Sequence, residues 1–289
     1  MRASFDKTVG SANETDTKTL DGTNLSMRDP EYIRRQMPFI EVFSRWYFRV
    51  RVSGMENTPA RGPVIFVSNH SGGITTPDSI LLAHAFWSRF GPERPVYTLS
   101  QREAFGSENS REHLVKIGAV AATASVASKV LRSGASMLVY PGGGHEAYRP
   151  STKRNEVDLN GNSAFIKLAI RFGVPIVPVA CMGGHDGLVV LDDGRATAQF
   201  LGLDRLGIER LPLTVSFPYG LALGLHHYLP PPMRIDIMCG RPIHFSGFAK
   251  KDVRDGEVIK FCFDHVEQVM QNMLGQLVAS RTHESSVSQ

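Results

Sequence analysis

The sequence predicts an α/β domain in which a mostly parallel sheet is flanked by helices. Short apolar runs typical of buried strands alternate with stretches of helical periodicity along most of the 289 residues. The composition, 42% hydrophobic and 21% charged, is sufficient for a large core. No Pro- or Ser-rich linker divides the middle of the chain, so we predict one domain over residues 52–280.

The alternation of strands and helices can be followed along the chain. The predicted strands cover residues 64–67, 96–99, 137–140, 176–180 and 235–238. The predicted helices cover residues 78–87, 124–131, 164–172 and 253–278. Gly173 and Pro175 mark the end of the third helix, because glycine is favoured just past a helix and proline cannot continue one. In such a sheet, functional loops are expected at the C-terminal ends of the strands.

Residues 28–51 have the periodicity of an amphipathic helix that Pro38 interrupts. Arginines lie among apolar side chains that recur at three- and four-residue steps, namely Ile33, Met37, Ile40, Phe43 and Tyr47. Two interpretations are open: an interfacial anchor on anionic lipid, or a helix packed on the core with its arginines in water. The polar ends of the chain, residues 1–27 and 281–289, are predicted to be disordered tails.

Bulk properties exclude several classes of protein. The net charge of +4 suits anionic membranes, coenzyme A or nucleic acid and selects none of them. The 3 cysteines are far apart, which argues against a disulfide framework or a zinc site and favours a reducing compartment. No apolar run reaches the roughly 18–20 residues of a membrane-spanning helix. Residues 197–232 are apolar with weak periodicity, and form either a membrane-facing patch or an insertion packed on the sheet edge.

The first candidate site is residues 68–78, SNHSGGITTPD. His70 follows a predicted strand and Asp78 begins a predicted helix. One interpretation is a catalytic pair, in which the carboxylate orients the imidazole and stabilises its charged form. The other is a loop histidine and an acidic residue favoured by the helix dipole, with Gly72 and Gly73 serving only the turn. The segment alone favours neither.

The second candidate site is residues 138–150, LVYPGGGHEAYRP. Three glycines after a predicted strand let backbone amides approach a ligand and form an anion-binding nest. Glu146 and Arg149 follow them. The spacing matches neither standard phosphate-binding loop. The alternative is a tight turn with a surface Glu–Arg pair. A third segment, residues 174–184, VPIVPVACMGG, is by itself a buried strand between turns.

Taken in order, the three segments resemble the glycerolipid (lysophospholipid) acyltransferase superfamily. Its members carry an N-H-x-x-x-x-D block, a P-E-G or P-G-G block after a strand, and a V-P-x-x-P-V block. In this chain the blocks are Asn69-His70…Asp78, Pro141-Gly142-Gly143…Glu146 and Val174-Pro175…Pro178-Val179. The P-G-G form is most similar to the branch that contains monoacylglycerol and diacylglycerol acyltransferases. The resemblance covers roughly residues 50–245.

The resemblance implies transfer of a fatty acyl group from acyl-coenzyme A, or an acyl carrier protein, to a glycerolipid hydroxyl. The enzyme would be a peripheral protein on the cytoplasmic face of a membrane, with no metal, no further cofactor and no nucleic-acid partner. His70 would be the general base and Asp78 its orienting partner, without an acyl-enzyme. The implied substrate-binding residues are Asn69, Gly72, Gly73, Gly142, Gly143, Gly144, Glu146 and Arg149.

Two features depart from the family pattern. Aspartate usually lies five positions after the histidine, where this chain has Thr75, so the loop must bulge for Asp78 to reach His70. The phosphate-contacting arginine between the first two blocks has no clear counterpart, and Arg102 and Arg149 are possible substitutes. Its absence favours a neutral acceptor, such as monoacylglycerol, diacylglycerol or a long-chain alcohol.

Two other functions compete with acyl transfer. One is a lipid- or acyl-binding protein of the same fold without turnover, which the long loop between His70 and Asp78 could support. The other is a lipid hydrolase that uses the same pair with Ser68 or Ser71, although no G-x-S-x-G segment exists to position that serine.

Overall fold

Seven strands form the central sheet in the computed structural model, which describes residues 20–75, 77–106 and 108–287. These strands are β1 (Arg51–Ser53), β2 (Ile65–Ser68), β3 (Val96–Ser100), β4 (Ala119–Ala121), β5 (Ser136–Val139), β6 (Ile176–Met182) and β10 (Asp236–Cys239). A separate antiparallel sheet contains β7 (Leu188–Asp192), β8 (Leu213–Ser216) and β9 (Gly220–Leu223). The described helices are α1 (Pro30–Val42), α2 (Asp78–Phe90), α3 (Glu108–Lys116), α4 (Ala124–Arg132), α5 (Gly143–Ala147), α6 (Ala164–Phe172), α7 (Arg195–Phe200) and α8 (Gly256–Val287).

The central sheet is mostly parallel, and the predicted fold class is confirmed. The strand order is β1-β10-β6-β2-β5-β3-β4. From β6 to β4 every neighbouring pair is parallel, with Phe66 of β2 opposite Leu138 of β5 and Val177 of β6. Only β10 pairs antiparallel, with β6, and β1 then follows β10 in parallel. The C-terminal ends of β2, β5 and β6 therefore lie at one edge of the sheet.

The core occupies both faces of this sheet. Successive side chains of a strand point to opposite faces, so Ile65 and Val67 join the cluster formed with α4, α6 and α8. Phe66 points the other way and joins the cluster formed with α1 and α2. Phe66 is 2% exposed, and burying a side chain of this kind stabilises the fold by about 1.5–3 kcal/mol.

The long helices agree with the periodicity of the sequence. The helix predicted at 164–172 has those bounds, and Gly173 ends it in the left-handed conformation at φ 65°. The predicted strands are all present, each within a residue or two of its predicted ends. Helix α1 continues through Pro38, contrary to the predicted interruption, because Met37 and Ile40 on either side of the proline pack against the core. A π-helical turn, Phe43–Tyr47, follows α1.

The predicted tails need correction where the structure describes them. Helix α8 runs through Val287 instead of ending before 281, because the Arg281 guanidinium bonds to Asp236 and Asp186 and to the Arg234 carbonyl oxygen. At the other end, residues 1–19 lie outside the described residues. The remainder of the predicted N-terminal tail is packed, with a 3₁₀ turn at Leu25–Met27 held by a 2.9 Å hydrogen bond from the Tyr97 hydroxyl to the Leu25 carbonyl oxygen.

The apolar segment at 197–232 contains structure that its weak periodicity does not predict. It supplies α7 in part and strands β8 and β9, and β8 pairs with β7. One face of this small sheet packs inward through Leu188 and Val190, while Val215 and Leu221 are 40% and 65% exposed on the other face. This segment therefore contributes to both a packed face and an exposed apolar face, and contact of the exposed face with a membrane stays a prediction. Across the described ranges, no helix combines the length and apolarity needed to span a bilayer.

Candidate active site

His70 and Asp78 form a hydrogen-bonded pair beyond the C-terminal end of β2. The distance between His70 Nδ1 and Asp78 Oδ2 is 3.0 Å, although the residues are 8 positions apart. The intervening loop folds back on itself, because Gly72 and Gly73 adopt positive φ values of 86° and 66° that glycine tolerates best. A 3₁₀ turn at Gly73–Thr75 then shortens the path to α2. The bulge required by the unusual spacing therefore exists, and it brings the carboxylate to the imidazole.

The aspartate is fixed by the start of its own helix. Asp78 is 1% exposed, its Oδ1 accepts from the Ser79 backbone N–H at 2.8 Å, and its Oδ2 also accepts from the Ser71 N–H at 3.4 Å. The Asp78 carboxylate can only accept a hydrogen bond, so His70 Nδ1 carries the proton and donates it. In the neutral imidazole the free lone pair is then on Nε2. This is the tautomer that a general base needs.

The charge of the pair changes the basicity of the histidine. Burial lowers the pKa of His70, but the negative charge and hydrogen bond of Asp78, with the charge of Glu146, outweigh burial and raise it above 6.5. The His70 side chain keeps 18% exposure, and its ring lies 4.5 Å from that of Tyr140, centroid to centroid. The imidazole is thus a stronger base than usual in a largely enclosed position.

The second block holds the histidine loop in place. Glu146 is fully buried, and its Oε2 accepts from the His70 backbone N–H at 2.9 Å. Its Oε1 accepts from the Arg149 guanidinium at 3.0 Å and from the Asp158 N–H at 3.2 Å. Burial raises the pKa of Glu146 to about 7, against the opposing effects of the Arg149 charge and the two backbone donors. Glu146 and Arg149 form a buried positioning pair, in contrast to the surface pair considered from the sequence.

The three glycines of this block differ in their surroundings. A Cβ on Gly142 would lie 2.6 Å from the Glu146 Cβ and 2.5 Å from the Asp158 carbonyl oxygen, so no side chain fits there. The Gly143 N–H donates to the Tyr140 carbonyl oxygen at 3.1 Å and is not available to a nest. A Cβ on Gly144 would meet no atom within 4 Å, so that glycine borders open space.

Asn69 connects the histidine loop to the third block. Its side-chain amide donates to the Cys181 carbonyl oxygen at 2.8 Å, and its Oδ1 accepts from the Cys181 N–H at 2.7 Å. Both polar atoms of the Asn69 side chain therefore hold the loop against β6. The third block itself lies along the start of β6, which pairs with β2. Direct substrate contact by Asn69, Gly72, Gly73 or Arg149 stays a prediction.

Known proteins resemble this chain in sequence and in fold. A family model described as Acyltransferase matches residues 49–182, a range that contains all three blocks. The chain belongs to the acyltransferase superfamily. A solved structure, the 1-acyl-sn-glycerophosphate (LPA) acyltransferase PlsC from Thermotoga maritima, superposes with a TM-score of 0.52 at 17% identity, covering 86% of this chain and 81% of that one. At this identity the likeness shows the fold.

Two groups of relatives are similar in sequence. An uncharacterized protein of Mycobacterium tuberculosis is 30% identical over 248 residues, and one of Mycobacterium leprae is 29% identical over 244. Each covers 84% of this chain, which spans 66% and 64% of their respective lengths, just under two thirds. Diacylglycerol O-acyltransferase 1 of Saccharomyces cerevisiae is 29% identical over 164 residues, which are 55% of this chain and 38% of the yeast protein.

Two histidines to which the sequence motifs give no role also lie near the site. The His145 Nε2 lies 2.6 Å from Asp158 Oδ2, and Asp158 lies in a segment, VDLNGN, that matches no motif. His185, just after β6, is 5% exposed, and burial lowers its pKa to about 3, so it stays neutral. The only sequence signal was position: both histidines follow strands whose C-terminal ends meet at the edge that carries His70.

Proposed function

We propose that this acyltransferase moves a fatty acyl group from acyl-coenzyme A, or an acyl carrier protein, to the hydroxyl of a glycerolipid. The observation that supports the chemistry is the 3.0 Å bond between His70 Nδ1 and Asp78 Oδ2 at the sheet edge. It is the arrangement of a general base with its orienting carboxylate, without a serine nucleophile. The acceptor hydroxyl would take the place of that nucleophile.

In the proposed reaction, His70 Nε2 removes the proton of the acceptor hydroxyl as the oxygen attacks the thioester carbonyl carbon. Asp78 stabilises the imidazolium that forms. The tetrahedral intermediate then expels sulfur as the C–S bond breaks, and the imidazolium returns the proton to the thiolate. The products are an ester and a free thiol, and no acyl-enzyme forms. The backbone N–H groups of Gly72, Gly73 and Gly144 are the proposed donors to the developing oxyanion, a contribution of roughly 3–4 kcal/mol per donor.

The surroundings of Arg149 support a neutral acceptor. Its guanidinium is 5% exposed and bonds to Glu146 Oε1 and to the Arg154 carbonyl oxygen, so it does not replace the family's phosphate-contacting arginine. Arg102, the other substitute, is exposed beyond β3. Diacylglycerol, the acceptor in the name of the yeast relative, carries no phosphate. We therefore favour monoacylglycerol, diacylglycerol or a long-chain alcohol over lysophosphatidate.

We further propose a peripheral location on the cytoplasmic face of a membrane. Along α1 and the turn after it, Phe39 and Trp46 are 63% and 73% exposed beside a series of arginines, as in interfacial helices. The exposed face of β7–β9 adds further apolar area, including Leu221. The Tyr47 hydroxyl donates to the Pro230 carbonyl oxygen at 2.6 Å, which links the α1 end to the segment after β9. Free cysteines fit a reducing compartment.

Vesicle binding tests the membrane proposal. Trp46→Ser and Leu221→Ser should each weaken cosedimentation with vesicles of phosphatidylcholine and phosphatidylglycerol. Phe261→Ser is the control, because Phe261 is 69% exposed on α8, which covers the opposite face of the sheet from α1. Equal binding by all three variants and the wild type would contradict a membrane-docking role for these surfaces.

Activity is tested with purified protein, labelled acyl-coenzyme A and separate acceptors: lysophosphatidate, monoacylglycerol, diacylglycerol and a fatty alcohol. We expect thiol release and a labelled ester with at least one acceptor, and loss of both in His70→Ala. His265→Ala is the control, because His265 is an exposed histidine on α8. Lipid association without thiol release in either protein would instead indicate an inactive binding protein. Equal thiol release without an acceptor would indicate a hydrolase. The structure argues against Ser68 as the nucleophile of such a hydrolase, because its hydroxyl donates to the Asn69 carbonyl oxygen.

A further inference from the structure

Two arginines from the segment after β7 converge on His145, the residue that precedes Glu146. Arg195, the first residue of α7, has its Nη2 at 2.5 Å from His145 Nδ1. Arg210, which precedes β8, directs its Nη1 at the His145 carbonyl oxygen at 3.5 Å. Both guanidinium groups therefore reach one residue of the glycine block. Arg210 lies within the segment 197–232, which was predicted from the sequence to be apolar, and Arg195 lies just before that segment.

The positive charge of this pair is poorly balanced. Arg210 is 8% exposed and forms no ion pair with any residue in the described ranges. Arg195 has one carboxylate contact, Asp193 at 3.7 Å, and its side chain is 42% exposed. Burial and then the repulsion of Arg195 lower the pKa of Arg210, although Asp193 and Glu209 oppose this. Because charged side chains are seldom buried without a partner, the pair is suited to an added anion.

His145 does not supply the missing negative charge. Its Nε2 lies 2.6 Å from Asp158 Oδ2, and a carboxylate only accepts, so Nε2 carries the proton and Nδ1 accepts from Arg195. The Asp158 carboxylate is engaged by this histidine and by the Asn160 N–H. Gly144, the residue before His145, borders open space, because a Cβ there would meet no atom within 4 Å.

We propose that Arg195 and Arg210 bind a phosphate group of a substrate, an assignment that rests on the proposed acyl transfer. Guanidinium groups bind phosphate through paired, charge-assisted hydrogen bonds, and two of them at one place match its charge. The phosphate has two chemical sources. One is the phosphopantetheine thioester of the donor, as in coenzyme A, and the other is a phosphorylated acceptor such as lysophosphatidate. Because the proposed acceptor carries no phosphate, the donor is the source we expect.

Binding measurements without turnover test this site. Coenzyme A, pantetheine and lysophosphatidate are titrated calorimetrically into the wild type, Arg195→Gln, Arg210→Gln and the control Arg205→Gln, which changes an exposed arginine of the same segment. We expect coenzyme A affinity to fall about ten- to hundredfold in the first two variants and to be unchanged in the control. Pantetheine, which lacks phosphate, should bind all four proteins equally. Arg195 is partly exposed, so its variant provides the test if Arg210→Gln fails to fold.

The outcomes separate the two sources and the two proposals. Weaker binding of lysophosphatidate alone would keep the phosphate site and overturn the donor as its source. Unchanged affinity of Arg195→Gln for both phosphorylated ligands overturns the site, even if the enzyme is active. In a third outcome, coenzyme A binds through its phosphate, the variants lose this binding, and the wild type transfers no acyl group to any acceptor. That outcome keeps the site and overturns the proposed function.

Discussion

Replacing Asp78 by asparagine is the sharpest test of the His70–Asp78 pair, because the local hydrogen bonds dictate how the amide must orient. The Ser79 N–H donates to Oδ1 at 2.8 Å, a shorter bond than the 3.4 Å bond from the Ser71 N–H to Oδ2, so the amide oxygen should remain at the Oδ1 position. The amide nitrogen then takes the place of Oδ2, 3.0 Å from His70 Nδ1, and donates to it. The imidazole proton moves to Nε2, and the atom that should accept the substrate proton loses its lone pair.

The size of the effect follows from the loss of the general base. General-base assistance and its orienting carboxylate are worth about 10²–10⁴-fold in rate, or about 3–5 kcal/mol of activation free energy. We expect kcat of Asp78→Asn to fall by that factor in the thiol-release assay with the best acceptor, while the KM for acyl donor changes little. The near-identical volume of asparagine should keep the protein folded, which thermal unfolding can verify.

Asp264→Asn is the matched control for this prediction. The Asp264 side chain is 53% exposed on α8 and pairs with Lys260, so its replacement should leave kcat unchanged. A kcat for Asp78→Asn within about threefold of the wild type would refute the assigned role, because the forced tautomer alone should cost more than that.

Three further predictions concern the residues around the pair. His70 must be neutral to act as a base, and its pKa is raised, so kcat/KM should rise with pH through a midpoint above 6.5. A midpoint at or below 6.5 in the pH–rate profile would contradict the effect assigned to the charge of Asp78. Gly142→Ala should lower the free energy of unfolding by about 1–3 kcal/mol, because the new Cβ collides with Glu146. Gly144→Ala should be neutral or stabilising by up to about 1 kcal/mol. Urea unfolding compares the two variants, and equal losses of stability would exclude the collision. Asn69→Ala leaves a buried N–H and carbonyl of β6 without partners and should cost about 2–4 kcal/mol in the same assay, so a loss below about 0.5 kcal/mol would contradict the link.

Local sequence patterns are enough to predict the order of the main strands and helices and the position of His70. Apolar runs and helix-ending glycines depend on local geometry, so the central strands and the helix at 164–172 could be predicted from neighbouring residues. His70 at a strand end follows from the same pattern. The small antiparallel sheet was not predictable, because β7–β9 gain their stability from Leu188 and Val190 packing against distant residues.

The arrangement of the candidate site depends on contacts between distant parts of the chain. Whether Asp78 reaches His70 depends on two positive φ values in the loop, which glycine permits without requiring. The bond from the His70 N–H to Glu146 joins residues 76 positions apart, and the pairing of Asn69 with Cys181 spans 112. Contacts at such separations arise from the packing of neighbouring strands, and local sequence carries no record of which loops that packing brings together.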